Sequence, residues 1–179
     1  MIPIKIHGKK YKIKSIYELT TKEYIEFSKI KNPDYVKFIA WQTGFEEKEA
    51  FFAVISKTVQ KQMGKFDDIT TMKPIWKSLD KNKTVFSVGQ RHQIEQSKRE
   101  GFEFLVYVLA VAQVVSINID DVEKRYNYYL TKPWFEILPA GFFFFRILRS
   151  GKTSGTRLSR ILYKLIKTKV LKNRPELIG

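Results

Sequence analysis

Apolar and polar positions alternate one for one at the start of the chain. Ile2, Ile4 and Ile6 are separated by Pro3 and Lys5, and Tyr11 and Ile13 stand among Lys10, Lys12 and Lys14. A period of two puts alternate side chains on opposite faces of a half-buried strand. Gly8, after His7, falls where a tight turn is needed, so the pattern predicts a β-hairpin with one lysine-rich face. Those lysines suit a polyanion, and they equally keep an exposed strand edge from pairing with other chains. The period then changes. Thr20-Thr21-Lys22-Glu23 has the spacing of a capping box, in which the Thr20 hydroxyl accepts from the Glu23 amide while Glu23 reaches back. Tyr24, Ile25, Phe27 and Ile30 follow as a short helix. Asn32-Pro33 predicts the next start, with Asn32 as cap and Pro33 at the first helical position. Its inward stripe is Val36, Ile39 and Ala40, with Phe38 and Trp41 beside it, and Thr43-Gly44 ends it. Another helix is expected from about Glu46 to Met63. Glu46, Glu47 and Glu49 lie near its positive end, and Phe51, Ile55 and Val59 point inward.

Residues 64–82 are polar and turn-rich. Thr84–Val88 alternates as a single strand, and Arg91 to Gly101 is hydrophilic, fitting either helix or loop. From Phe102 to Val115 nearly every position is apolar. Its β-branched content leaves a buried strand open, but a run this long favours a helix, and a helix apolar all round is central or lies in an interface, so this segment is the expected core element. Asp120-Asp121 opens a helix carrying Val122, Tyr126, Tyr129 and Leu130, closed by Lys132-Pro133. The fold expected is α+β and mainly helical: a hairpin, several short helices around the central apolar one, and a basic C-terminal helix free to project. The expected division is a globular body over 1–136 and an aromatic, basic arm over 137–179.

The order and pattern of the first third resemble a known class. A basic hairpin reading G-K-K-Y-K-I-K, a helix start reading S-I-Y-E-L-T-T-K-E-Y-I-E-F and then D-Y-V-K-F-I-A-W-Q-T-G are similar to the opening of small bacteriophage proteins of the tail and neck assembly region. These include tail assembly chaperones and small structural proteins beside them. The likeness covers about residues 1–60 and carries no catalytic or ligand motif. It implies a virion structural or assembly protein made in the host cytoplasm. Such a protein works by contact with other copies of itself and with neighbouring virion proteins, in a multi-copy ring of the tail or head–tail neck.

Charge sharpens the picture at the other end. The formal charge is +15, and residues 137–179 carry ten Lys/Arg against Glu176 alone, or +9. An anionic or acidic partner is implied. Phe142, Phe143, Phe144 and Phe145 cannot all face one core, whether on a strand or a helix, and Pro139 and Gly141 before them predict a change of direction. Leu158, Ile161, Leu162, Leu165 and Ile166 recur at helical spacing as an apolar stripe, and with the phenylalanines they are the expected protein contacts. Arg146, Arg149, Lys152, Arg157, Arg160, Lys164 and Lys167 are the expected contacts with an acidic partner. A basic accessory protein that uses this arm on nucleic-acid phosphates is the alternative reading.

No chemistry is declared. Without cysteine there is neither a disulfide framework nor a thiolate metal site. The N-terminus lacks the apolar run of a signal peptide. The apolar runs 102–117 and 134–148, of 16 and 15 residues, fall short of the roughly 20 that span a membrane, so both are expected inside protein. Ser150-Gly151-Lys152-Thr153 has the ending of a phosphate-binding loop, but Arg146 stands where its first glycine belongs and no acid follows before Glu176. His7 and His92 have no metal-ligand spacing around them. Asp67-Asp68 and Asp120-Asp121 fit helix starts better than acid–base work. The expectation is a binding protein with no catalysis, cofactor or small-molecule substrate.

Overall fold

Residues 1–51, 71–75, 85–114, 118–150 and 153–154 are described by the structure, a computed structural model. Over them the chain is a mainly helical α+β protein with an antiparallel hairpin at its start. Its contacts divide it into two compact units, one of Met1–Lys73 with Asn127–Pro139, the other of Pro74–Tyr126 with Ala140–Gly179.

In the first unit, β1 (Ile2–Ile6) pairs with β2 (Lys9–Ile13), Ile2 opposite Ile13 and Ile6 opposite Lys9. His7 and Gly8 between them have φ of 47° and 79°, a turn with two left-handed residues whose twist matches that of the strands. Ile2, Ile4, Ile6 and Ile13 are buried, as the period of two predicts. A 3-10 turn, Ile16–Glu18, leads to α1 (Thr21–Ser28). The capping box forms: the Glu23 amide donates to Thr20 Oγ1 at 3.2 Å and the Thr20 amide to Glu23 Oε2 at 2.8 Å.

The next helix starts later than expected. α2 spans Tyr35–Thr43, and its cap is Asp34, whose carboxylate accepts from the Lys37 amide at 2.9 Å. Asn32 instead turns left-handed at φ 50°, and Lys37 Nζ donates to the Lys31 and Asn32 carbonyls, so the chain is still turning at Pro33. Phe38 and Ile39 are the buried pair, with Val36 and Ala40 at the border, and Gly44 at φ 75° ends the helix. The Gln42 amide group binds both backbone groups of Lys14, at 2.7 and 3.0 Å, tying α2 to the end of β2. In α3 (Glu47–Phe51), Ala50 is buried and Phe51 is 65% exposed, so Phe51 does not take the inward place expected of it. Ile55, Val59 and Met63 lie outside the described residues.

Residues 127–139 complete this unit around Trp134, which is fully buried. Its ring stacks on Tyr24 at 4.1 Å and its indole N–H donates to the Ile16 carbonyl at 2.7 Å. Beside it the Thr21 amide and hydroxyl both donate to the Lys132 carbonyl, at 2.7 and 2.8 Å. An indole satisfied in this way keeps its large apolar burial without leaving a polar group unpaired.

In the second unit, β3 is only Phe86–Ser87, and it is not isolated: it pairs parallel with β4 (Thr153–Ser154). Val88, expected to end a strand, begins α4 (Val88–Glu95), because Ser87 Oγ accepts from the Gln90 amide at 3.2 Å and Gln90 Oε1 from the Ser87 amide at 3.1 Å. α5 (Gly101–Ala112) is the central apolar helix, buried at every position from Leu105 to Ala112. α6 (Ile119–Leu130) and α7 (Trp134–Arg149) complete the described helices. The body–arm boundary expected at 137 falls inside α7.

The Lys14–Glu23 pair, 2.5 Å apart, makes stability depend on pH. Burial acts to raise the Glu23 carboxyl, but donors from Lys14 and Thr20 outweigh it and hold the group below its ordinary 4.5. A depressed carboxyl stabilises the fold above the unfolded value, and that contribution is lost as pH falls through the folded value. Glu23→Gln is therefore expected to lower Tm at neutral pH and to flatten its decline between about pH 5 and about pH 3, read by thermal denaturation.

Candidate protein interface

The aromatic segment lies on α7, which runs without a break through Pro139. Pro139 cannot donate to the Phe135 carbonyl, and the expected change of direction would relieve that loss. Burial on both sides keeps the helix instead: Leu138, Ala140 and Phe144 are fully buried and Ile137 nearly so. Gly141 then allows a close helix crossing. A Cβ added there would come within 2.6 Å of the Leu105 carbonyl oxygen of α5, so only a glycine fits.

The far end of α7 is held by a buried cation. Arg91 of α4 is 0% exposed, and its Nη1 donates to the Leu148 carbonyl at 2.7 Å, with the guanidinium 5.9 Å from the Phe86 ring. Its neighbour Gln90, also buried, donates from Nε2 to the Val111 and Val114 carbonyls at 3.0 and 3.2 Å. The last carbonyls of a helix have no partner within it. Two adjacent side chains of α4 thus serve the C-terminal ends of α5 and α7, and the positive charge sits at a negative dipole end. Neither residue was singled out from the sequence. The available signal was Ser87-x-x-Gln90, a capping-box spacing, which placed Gln90, Arg91 and Ile94 on one face of a helix.

Held at both points, α7 distributes its four phenylalanines unequally. Phe144 is fully buried against Phe86, ring centroids 6.4 Å apart, and belongs to the core rather than to a contact surface. Phe142, Phe143 and Phe145 are half-buried, and Phe145 packs edge-on against Phe104 at 6.0 Å. Arg146 and Arg149 are exposed at the end of the helix, Arg149 lying 5.9 Å from the Phe145 ring. Lys152, Arg157, Leu158, Arg160, Ile161, Leu162, Lys164, Leu165, Ile166 and Lys167 lie outside the described residues.

Other groupings of polar side chains are already engaged. Arg99 lies between the rings of Tyr107 and Tyr126, at 4.5 and 4.3 Å, with Glu123 2.8 Å from its Nη2. Burial opposes its charge, but the hydrogen bond with Tyr126 and the Glu123 carboxylate outweigh it and raise the guanidinium pKa. Burial likewise pushes the Tyr107 and Tyr126 phenols up. This cation–aromatic cage is filled by the chain's own arginine. A shallow depression of about 600 Å³ is lined by Asp34, Tyr35, Val36, Glu47, Lys48 and Phe51, but Asp34 caps α2 and Lys48 pairs with Glu46 at 2.8 Å. Among the described residues no three His, Asp or Glu side chains are grouped to hold a metal, and no helix is long and apolar enough to cross a membrane. Comparison with protein families, with characterised proteins and with solved structures gives no match for this chain.

Two substitutions test how α7 is held. Gly141→Ala is expected to cost about 1–3 kcal/mol by forcing α5 and α7 apart. Arg91→Met is expected to cost about 2–3 kcal/mol by removing a charged donor from a helix terminus. Urea denaturation of each variant measures both.

Proposed function

We propose that the protein is a bacteriophage virion structural or assembly protein of the tail or head–tail neck, acting without catalysis through contacts between copies in a ring. The observation that carries this reading is the surface of α7: Phe142, Phe143 and Phe145 are incompletely buried on a helix anchored by the Gly141 contact and by Arg91. Aromatic rings presented on a rigid element are the residue type that dominates protein interfaces, and a partner completes their burial. The flanking Arg146 and Arg149 give such a contact an orientation. The likeness of residues 1–60 to tail and neck proteins supplies the setting, and closed symmetry is the common outcome when one patch meets a complementary one on the next copy. The chemistry of the C-terminal segment supports a second reading, a nucleic-acid-binding accessory protein, since residues 137–179 carry ten cations against one acid.

Light scattering after size exclusion at low and moderate salt separates these. A fixed mass of several chains at both salts is the expected result. A combined Phe142→Ser and Phe145→Ser variant should keep its helical circular dichroism and fall to the mass of one chain. A wild-type protein that is monomeric at both salts would contradict the ring.

A further inference from the structure

We infer that the outward face of the β1–β2 hairpin is a nucleic-acid phosphate-binding surface, separate from the α7 contact. The strand register puts Lys5 directly opposite Lys10, and Pro3 opposite Lys12. Ile2, Ile4, Ile6 and Ile13 take the buried face, so Lys5, Lys10 and Lys12 share the solvent face, all exposed, with exposed Lys9 at the turn. Cβ atoms of directly opposed residues lie about 5 Å apart, and like charges so placed destabilise the pair. The two strands place no acid on this face.

Four of the described lysines lie beside acids, while Lys37 donates to the Lys31 and Asn32 carbonyls and Lys132 lies over the Tyr128 ring. Lys14 binds Glu23, Lys22 lies 4.0 Å from Glu26, Lys48 binds Glu46, and Lys124 lies 4.0 Å from Asp121. No ion pair among the described residues engages Lys5, Lys9, Lys10 or Lys12. Among the described residues, acids next to the hairpin bind other groups: Glu18 takes the Met1 ammonium, Glu49 lies 4.0 Å from the His7 ring at the turn, and Glu23 takes Lys14.

The face also lacks what other anionic partners require. A protein partner is held by a buried apolar or aromatic anchor, and a membrane surface by apolar side chains that enter it. Here Tyr11 is turned to the inner side, against Phe45 at 5.3 Å, and within the paired strands Pro3 is the apolar residue among the lysines, with exposed Met1 before it. Nucleic-acid backbone needs no anchor, because cations alone release its condensed counterions. Same-face lysines on one strand, two residues apart, stand about 6.8 Å from each other on a rigid ribbon. They present an ordered row of point charges without base-reading side chains, so binding is independent of sequence.

The test uses the full chain and a mixed-sequence DNA duplex of about 30 base pairs, with affinity measured by fluorescence anisotropy across salt concentrations. Replacing Lys5, Lys10 and Lys12 by Gln should reduce the slope of log affinity against log salt by about 2.7 and weaken binding at 100 mM salt on the order of 100-fold. Arg at the same three positions should keep the wild-type slope. The Gln variant should melt no lower than the parent, since a like-charge pair is removed. Should it lose its melting transition, Lys12→Gln alone reads the same effect as a slope change of about 0.9. A Gln variant with the parent's slope overturns the inference, and so does a parent that fails to bind the duplex at low salt. Tighter binding to polyglutamate or to anionic vesicles than to the duplex overturns the assignment to phosphate backbone. The mass of the assembly is read separately and tests the α7 contact alone.

Discussion

Buried helix ends constrain this protein more than any other feature. Carbonyls at the C-terminus of a helix have no partner within it, and leaving them dry costs more than one hydrogen bond returns. α5 and α7 both end within the second unit. Gln90 and Arg91, consecutive on α4, turn these ends from a liability into a connection: one amide side chain serves α5 and one guanidinium serves α7. Neither side chain could work from a surface position. Their burial is the reason the ends are satisfied, and the satisfied ends are the reason the burial is tolerated.

With the ends fixed, the approach of the two helices sets which aromatic rings show. The contact of Gly141 with the Leu105 backbone brings α7 against α5 closely enough to enclose Phe144. Phe142, Phe143 and Phe145 lie around the same helix at other angles and remain half-covered. Any interface built on them is therefore rigid before a partner arrives, and little ordering is left to oppose binding.

The first unit solves a related problem with different groups. Trp134 is a fully buried indole in a core of isoleucines and phenylalanines, and its N–H reaches the Ile16 carbonyl while Tyr24 stacks on its face. Capping at Thr20 and the double use of the Lys132 carbonyl by Thr21 close the same corner. The hairpin's lysines Lys5, Lys9, Lys10 and Lys12 stand exposed to solvent.

Local rules read from the sequence alone determined much of this. Alternation of Ile2, Ile4 and Ile6 gave the hairpin, Gly8 its turn and Thr20 with Glu23 a helix start, because each depends on neighbours a few residues away. The apolar run after Phe102 pointed to the central helix, because its length favours a helix over a buried strand. Asn32 misled as a cap because Asp34, two residues on, competes with it and wins. Ser87 and Gln90 had the spacing of a cap, yet alternation up to Val88 made the segment look like a strand. Only the tertiary structure decided that Arg91 is buried, that Pro139 sits within a helix and that Phe144 parts company with its three neighbours. Each of these depends on a carbonyl, a side chain or a backbone tens of residues away, and such distances are set by packing rather than by periodicity.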